Sequence, residues 1–385
     1  MSCYLNNAAT TWPKPECAAK AMSDFLLKGG ANSSRGTSSA RDMGTMNLIL
    51  DCRIKLAEMF GGYDNENPLL VTFCANITEA LNIVLRGFLR PGMSVITSSM
   101  EHNAVMRPLR ALQSQGVNLE ILKADISGIL NPSEVEKILS AQKFDLAVFS
   151  HASNVCGTIQ PLEDIADICR KHNVPLVLDT AQTAGLIEIN ASALGLAALC
   201  FTGHKGLMGS QGTGGVIWEP DFASQVTPII TGGTGSYSHL EIQPEDLPDK
   251  FESGTPNLPG IAGLNAAIQW LSDTGIKNIT QKENMLGGYF LEKLSAFRNI
   301  ALVGRNDMNH RAAVFSFNVE GIDNGTLADR LSLAGFETRP GLHCAPSAHK
   351  TLGTFPQGTL RVSPGYFNTD EDINAFFCSL REITA

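Results

Sequence analysis

Short apolar runs alternate with amphipathic stretches between about residue 70 and residue 220, and this rhythm most constrains the fold. The apolar runs cover residues 69–73, 94–97, 146–150 and 175–179, and the amphipathic stretches cover residues 78–89, 104–115 and 162–172. Such alternation is typical of β-α units around a mainly parallel sheet. We therefore predict an α/β fold whose central sheet is flanked by helices.

The chain is long enough for a second, smaller domain. Its 385 residues exceed the size at which one hydrophobic core usually stops growing. The polar residues 241–250 interrupt the rhythm, and the pattern that follows is that of an α+β domain, with helices predicted at 259–270, 282–297, 325–334 and from 370, and strands at 313–319 and 358–362. We predict an N-terminal arm (1–30) packing with the small domain, a large domain (31–250), and a helix linker with the small C-terminal domain (251–385).

Charge and composition exclude several classes of function. The formal net charge is -9 and no run of Lys or Arg is present, so the chain lacks the basic footprint of a nucleic-acid binder. No apolar run approaches the roughly 20 residues that span a bilayer, and the first residues do not resemble a signal peptide. We expect a cytoplasmic protein that binds neither nucleic acid nor membrane.

Nine cysteines are scattered along the chain without a C-x-x-C pair. We therefore expect neither a metal site nor a disulfide framework. Cys169, Cys200 and Cys378 lie in apolar stretches, where a free cysteine packs as a small hydrophobe.

Three motifs at predicted strand ends carry the chemistry of one cofactor. Asp179 lies in LDTAQ, Lys205 in FTGHKG and His102 in EHN. Pyridoxal 5'-phosphate (PLP) needs a lysine amine for its aldehyde, an acid to keep its pyridine nitrogen protonated, and a flat partner for its ring. Ligands of such sheets gather at the carboxyl ends of the strands, so the three side chains are expected to meet there.

With these motifs the chain resembles the class V aminotransferases of PLP fold type I, and within them the cysteine desulfurase and selenocysteine lyase family. The resemblance runs from YLNNAAT at residues 4–10 to Arg361. It implies a mainly parallel seven-stranded sheet in the large domain. It also implies that Lys205 holds PLP as a Schiff base, that Asp179 pairs with the pyridine nitrogen, and that His102 stacks on the ring.

The phosphate of PLP is expected at the turn 74–79, because this turn leads from a strand into the unpaired amides of a helix start. By the resemblance the remaining cofactor contacts are Asn76, Ile77 and Thr78 in this turn, Thr202 and His204 at the phosphate, Asn154 and Gln182 near the phenolate oxygen, and Thr255, which reaches the phosphate of the neighbouring subunit. The last contact implies a homodimer with shared active sites.

The substrate side is assigned to two further motifs. A guanidinium on the predicted strand at Arg361 requires a carboxylate partner, and by the resemblance this partner is the α-carboxylate of the substrate. Arg339, Asn154 and Ala8 are expected beside it. In the motif RPGLHCAP (339–346), Pro340, Gly341 and Pro346 predict an irregular loop. By the resemblance, Cys344 in this motif falls on the position of the cysteine that takes the substrate's sulfur as a persulfide.

The predicted activity is therefore a PLP-dependent cysteine desulfurase, which converts L-cysteine to L-alanine, accepts selenocysteine analogously, and passes sulfur from Cys344 to a thiol or acceptor protein. Leu342 replaces the first of two histidines found in some desulfurases, so an acid-base role there rests on His343. Two alternatives remain at this stage: another class V aminotransferase or β-lyase in which Cys344 is not catalytic, and a non-catalytic sulfur-carrier scaffold. We interpret Cys156 as a packing variant.

Overall fold

The computed structural model describes residues 2–32 and 39–384. The helices are α1 (Glu16–Asp24), α2 (Ala40–Met59), α3 (Tyr63–Glu66, one turn), α4 (Ile77–Phe88), α5 (Asn103–Gln113), α6 (Pro132–Ala141), α7 (Leu162–Lys171), α8 (Ala191–Leu194), α9 (Pro220–Gln225), α10 (Leu258–Thr274), α11 (Ile276–Leu294), α12 (Asn324–Leu333), α13 (Pro346–Thr351) and α14 (Asp370–Thr384). Within the described residues, none of them is both long and apolar enough to cross a membrane.

The strands are β1 (Cys3–Tyr4), β2 (Val71–Cys74), β3 (Ser94–Ser98), β4 (Asn118–Leu122), β5 (Leu146–Ser150), β6 (Leu176–Asp179), β7 (Leu196–Thr202), β8 (Gly214–Trp218), β9 (Ile300–Val303), β10 (Phe315–Val319), β11 (Phe336–Glu337), β12 (Arg339–Gly341) and β13 (Thr359–Val362). The central sheet has seven strands in the order β2-β8-β7-β6-β5-β3-β4. The strands from β7 to β4 in this order run parallel, whereas β8 is antiparallel to both of its neighbours. The predicted mainly parallel seven-stranded sheet is confirmed, and Lys205 lies in the connection between β7 and its antiparallel neighbour β8.

The core forms on both faces of this sheet. In β6 all four residues are buried, with Leu176 and Leu178 in one apolar cluster and Val177 in the other. Successive side chains of a strand point to opposite faces, so an unbroken apolar run fits a strand that is covered on both sides. Each such buried side chain contributes roughly 1.5–3 kcal/mol relative to an exposed one. The end of β6, and with it Asp179, is thereby fixed in position.

A second sheet, in the order β12-β13-β10-β9, is antiparallel and has a core of its own. Phe290, Phe315 and Phe376 pack in this core, and Leu5 of the N-terminal arm joins them. The arm also pairs in parallel with β11 through β1. The arm is thus in contact with the sheet that we assign to the small domain, while the domain boundaries stay predictions.

Several predicted element bounds differ from the structure. The strand predicted at 69–73 begins later, because Pro68–Leu70 form a 3₁₀ turn that the Asn67 side chain caps. The helix predicted at 282–297 begins at Ile276, directly after Gly275 has ended α10 with a positive φ of 83°. Both errors arise because a local cap, rather than apolar periodicity, sets the boundary.

Two expectations for the C-terminal part were wrong. Arg339–Gly341 form the edge strand β12 rather than loop, and Pro340 is tolerated there because an edge strand leaves backbone groups unpaired. Cys378 is exposed on α14 rather than packed, because Phe376 and Phe377 take the buried positions. Cys169 and Cys200 are buried, as expected.

Candidate active site

The carboxyl ends of neighbouring parallel strands bring the predicted chemical groups to one edge of the central sheet. Asp179 ends β6 and lies opposite Ser150, which ends β5. His102 follows β3 and caps α5, and Thr202 ends β7. The structure therefore places Asp179, His102 and Lys205 at the same edge, where a doubly wound sheet binds its ligands.

The turn that carries Lys205 is held by the N-terminal arm. The carbonyl oxygen of His204 accepts hydrogen bonds from the hydroxyl of Thr10 (3.0 Å) and from Lys14 Nζ (2.6 Å). The carbonyl oxygen of Lys205 accepts one from Thr11 Oγ1 (2.9 Å). Because these donors fix the backbone, the Lys205 side chain projects from a rigid base, which is what a reacting amine requires.

Lys205 and Asp179 have opposite charges and shifted proton affinities. The pKa of Lys205 is lowered to about 8, because burial disfavours its charged form more than the nearby Asp179 favours it. Burial also raises the pKa of Asp179, although the Ala181 N–H (2.8 Å from Oδ1) and Lys205 act in the other direction. An amine that loses its proton near neutral pH is suited to nucleophilic and base chemistry.

The imidazole of His102 is neutral and oriented. Its Nδ1 accepts a hydrogen bond from the Ala104 N–H (3.0 Å), which places the ring hydrogen on Nε2. Burial and then the positive charge of Lys205 lower its pKa to about 4. The ring is a flat, uncharged surface at neutral pH, as a stacking partner of a cofactor ring should be.

The turn between β2 and α4 leaves amides free for an anion. Asn76 Oδ1 accepts from the Glu79 N–H (3.1 Å), and Glu79 Oε2 accepts from the Ala75 N–H (2.7 Å). The N–H groups of Ile77 and Thr78 have no acceptor among the described residues. Unpaired amides at the start of a 12-residue helix favour a bound phosphate.

Three other predicted phosphate residues differ in their surroundings. His204 Nδ1 is buried without a hydrogen-bond partner in the described chain, which is costly unless a ligand supplies one. Thr202 is buried, and its hydroxyl is 3.4 Å from the Thr213 carbonyl oxygen. Thr255 is exposed and lines, with Ala75, a cavity of about 320 Å³ that Lys205 does not line.

Two predicted amide side chains tie the site to other parts of the chain. Gln182 Nε2 donates to the carbonyl oxygen of Ala8 in the arm (3.1 Å). Asn154 Nδ2 donates to the carbonyl oxygen of His343 (2.7 Å). Each amide nitrogen keeps a second N–H for another acceptor.

Arg361 is a buried cation without a protein carboxylate. Its side chain is 1% exposed, and it donates from Nη1 to the Asn154 carbonyl oxygen (3.0 Å) and from Nη2 to Asn6 Oδ1 (2.9 Å). Its Nε has no partner, and no acidic group of the described residues forms an ion pair with it. The carboxylate partner expected from the sequence is therefore absent from the described protein, which leaves this position for a ligand.

The thiol of Cys344 is exposed at the edge of the site. The Cys344 Sγ lies 3.6 Å from Arg339 Nη2. The carbonyl oxygen of Cys344 accepts a hydrogen bond from the N–H of Asn103 (2.8 Å), which is the residue after His102. His343 and Cys344 both have positive φ values, 49° and 59°. Non-glycine residues seldom adopt this left-handed backbone conformation, and those that do cluster at active sites and other functional positions.

The imidazole of His343 is buried. It is 2% exposed, and its Nε2 is 3.0 Å from Thr359 Oγ1 inside the protein. Burial lowers its pKa to about 2, so it stays neutral. The acid-base role that the sequence left to His343 stays a prediction, and the buried, neutral imidazole does not support it.

The sequence did not single out Glu101 and Ser150. Glu101 is 1% exposed, and its Oε2 accepts from Ser150 Oγ (2.6 Å), which is also 3.4 Å from Asp179 Oδ2. Both residues follow or end parallel strands, and this position at the ligand-binding edge is the signal that points to them.

The sheet and the groups at its edge define a protein of PLP fold type I. The family model of the aminotransferase class-V family matches residues 3–376. The chain therefore belongs to the aminotransferase class-V family.

Three proteins that are similar to this chain are named for the same activity. A probable cysteine desulfurase of Methanothermobacter thermautotrophicus is 32% identical over 99% of this chain and 94% of its own length. A probable cysteine desulfurase of Halalkalibacterium halodurans is 30% identical over 97% of this chain and 90% of its own length. The apo structure of a cysteine desulfurase from Thermococcus onnurineus superposes with a TM-score of 0.92 at 29% identity, covering 100% of this chain and 94% of that one.

Proposed function

We propose that this chain is a PLP-dependent cysteine desulfurase, which converts L-cysteine to L-alanine and retains the sulfur on Cys344 as a persulfide. The observation that carries this proposal is the exposed thiol of Cys344. The carbonyl oxygen of Cys344 accepts a hydrogen bond from the N–H of Asn103, which places Cys344 beside the residue that follows His102. Selenocysteine fits the same chemistry, with selenium in place of sulfur. The similar proteins named above support the proposal.

The residues at the sheet edge fit PLP. The unpaired amides of Ile77 and Thr78, the orphaned His204 Nδ1 and the Thr202 hydroxyl would hold the phosphate. Asp179 would hold the pyridine nitrogen, His102 would cover the ring, and Lys205 would bind the aldehyde carbon. PLP bound there supplies an electron sink for negative charge on the substrate's α-carbon.

The other steps belong to the chain's own residues. Arg361 binds the α-carboxylate and so orients the substrate, and the Lys205 amine, with its lowered pKa, takes the α-proton. The Cys344 thiolate then attacks the substrate's sulfur. A sulfur–sulfur bond forms as the carbon–sulfur bond breaks, and the pair of electrons stays with the β-carbon, which is then protonated. Return of a proton from Lys205 to the α-carbon yields alanine.

We also propose a homodimer that shares its active sites, and a thiol or acceptor protein that takes the persulfide sulfur. Exposed apolar side chains support the dimer: Ile230 is 49% exposed and lines the same cavity as Thr255, and Ile242 is 74% exposed. Burying such groups against a second copy is favourable. Sedimentation at several concentrations tests the dimer, with a monomer at all concentrations counting against it.

One assay tests the proposed function as a whole. The purified protein with PLP is given L-cysteine and a reducing thiol, and alanine and sulfide are both measured, with selenocysteine in a parallel reaction. Equal amounts of alanine and sulfide are expected. A keto acid in place of alanine would indicate an aminotransferase or β-lyase, and no product with PLP bound would indicate a scaffold.

Asp179→Asn should lower turnover by about 100- to 1,000-fold while the fold is retained, because a neutral amide cannot hold the pyridinium proton. Turnover and thermal unfolding are measured together. Asp273→Asn, at an exposed position on α10, is the control and should leave turnover unchanged. Near-normal turnover of Asp179→Asn would mean that another acid pairs with the ring.

Arg361→Gln should raise KM for cysteine by about 100-fold, since a charge-assisted pair of hydrogen bonds contributes roughly 3 kcal/mol. Arg381→Gln on the surface of α14 is the control. Steady-state kinetics give both constants. An unchanged KM would show that the α-carboxylate binds elsewhere.

A further inference from the structure

A second buried carboxyl group lies behind Asp179. Glu101 Oε2 accepts hydrogen bonds from the Ser150 N–H (2.8 Å) and the Ser150 hydroxyl (2.6 Å). Its Oε1 accepts from Ser98 Oγ, which itself accepts from the Met100 N–H (3.0 Å). Glu101 is 1% exposed, and no cation of the described residues pairs with it. A buried acid without a cation is costly and calls for an explanation.

Ser150 connects the two carboxyl groups. Its hydroxyl is 2.6 Å from Glu101 Oε2 and 3.4 Å from Asp179 Oδ2, yet it has one hydrogen to donate. That hydrogen goes to whichever acceptor is the stronger, and a charged oxygen is a stronger acceptor than a neutral one. The charge on Glu101 therefore decides whether Asp179 keeps this donor.

We propose that Glu101 is a positioning residue that sets, through Ser150, how firmly Asp179 holds the proton on the ring nitrogen of PLP. The proposal rests on the proposed function, because it needs PLP in the site. When Glu101 is ionised, Ser150 donates to it, and Asp179 has lost a donor and faces a second negative charge. Asp179 is then more basic and holds the ring proton more firmly.

When Glu101 is protonated, the Ser150 hydrogen turns to Asp179 and the repulsion between the two groups disappears. Asp179 is then less basic. Burial raises the pKa of Glu101 to about 7, so both forms are populated near neutral pH. Asp179 is the titratable neighbour whose charge acts on it, whereas the adjacent His102 and His151 are neutral because burial lowers the pKa of each to about 4.

The test follows the ring proton directly, without turnover. Holoenzyme is prepared with PLP that carries an isotopic label at the pyridine nitrogen, and the NMR signal of this nitrogen is recorded across pH. Glu101→Gln has the shape of Glu101 but no charge. The pH at which the ring nitrogen loses its proton should fall by about one unit, a tenfold loss of proton affinity.

Two variants distinguish this role from a structural one. In a Ser150→Ala background the effect of Glu101→Gln should shrink, because the connecting hydroxyl is gone. Glu283→Gln is the matched control: Glu283 is also buried, with a pKa raised to about 8, but its hydrogen-bond donor is the backbone of Tyr366 rather than Ser150. It should leave the ring nitrogen signal unchanged.

The outcomes separate this inference from the proposed function. A chain that binds no PLP would overturn both. Bound PLP with the same ring proton affinity in Glu101→Gln and wild type would overturn only the role of Glu101, as would an equal shift with and without Ser150. Should Glu101→Gln not fold, wild type decides: its nitrogen signal should show a second inflection where Glu101 titrates. Ser150→Ala should make this inflection smaller, and an inflection of undiminished size counts against the proposal.

Discussion

Replacement of Lys205 by alanine should abolish the visible absorbance of bound PLP and reduce turnover by at least about 1,000-fold, since it removes both the covalent attachment and the base. Among the described residues, no second lysine is placed to substitute for it. Lys14, which contacts this turn, directs its Nζ to the Thr11 hydroxyl and to the carbonyl oxygen of His204. The absorbance spectrum and alanine production from cysteine are the two measurements.

Lys205→Arg is the informative companion variant. It keeps the positive charge beside Asp179 but cannot attach to an aldehyde as the amine does. It should therefore fail as completely as Lys205→Ala. Recovery of activity in the arginine variant would mean that the charge, rather than the amine, is what the site needs, and normal absorbance in Lys205→Ala would refute the assignment of the cofactor.

Cys344→Ala should leave PLP bound and cysteine binding intact, yet reduce alanine production from cysteine by at least about 1,000-fold. The thiolate is the group that attacks sulfur, and no other step of the proposed reaction requires a thiol. Cys378→Ala is a matched control, because Cys378 is the other exposed cysteine of the described residues and lies on α14. Its turnover should equal that of the wild type.

Mass spectrometry after brief cysteine treatment locates the sulfur. The added mass is expected on the peptide that contains Cys344. Cys156 is fully buried, with its Sγ 3.2 Å from Thr158 Oγ1, which supports our interpretation that it serves packing. Label confined to Cys156 or Cys74 would contradict the assignment, and an undiminished reaction in Cys344→Ala would favour an aminotransferase. Residual activity of Cys344→Ala on selenocysteine would not favour an aminotransferase, since selenium leaves more readily than sulfur.

The central sheet was predictable because apolar runs such as Leu176–Asp179 are buried on both faces and are bounded by polar residues. The antiparallel strand β8 was not, because its run Gly214–Trp218 is as buried as the parallel strand β6 and apolar content does not encode direction. The edge strand β12 was missed since two prolines and a glycine near Arg339 favour a loop in any local view of the sequence.

The cofactor residues Asp179 and Lys205 were predictable because each lies in a single sequence motif at the end of a strand. Contacts between distant segments were not. The inward turn of His343 depends on a left-handed backbone, and the link from Glu101 to Asp179 depends on strand order. Neither property is a local feature of the sequence, so only the folded chain reveals them.

The hydrogen bonds between the arm and the last strand also have a consequence for synthesis on the ribosome. The Ser363 N–H donates to the carbonyl oxygen of Leu5 (2.7 Å), and the two residues are 358 positions apart. At roughly 5–20 residues per second, translation takes about 20 to 70 seconds to cover that distance. Throughout that interval the core that buries Leu5 is incomplete, and the arm that holds the Lys205 turn lacks its hydrogen bond from Ser363. We therefore expect loading of the proposed cofactor to follow translation rather than accompany it.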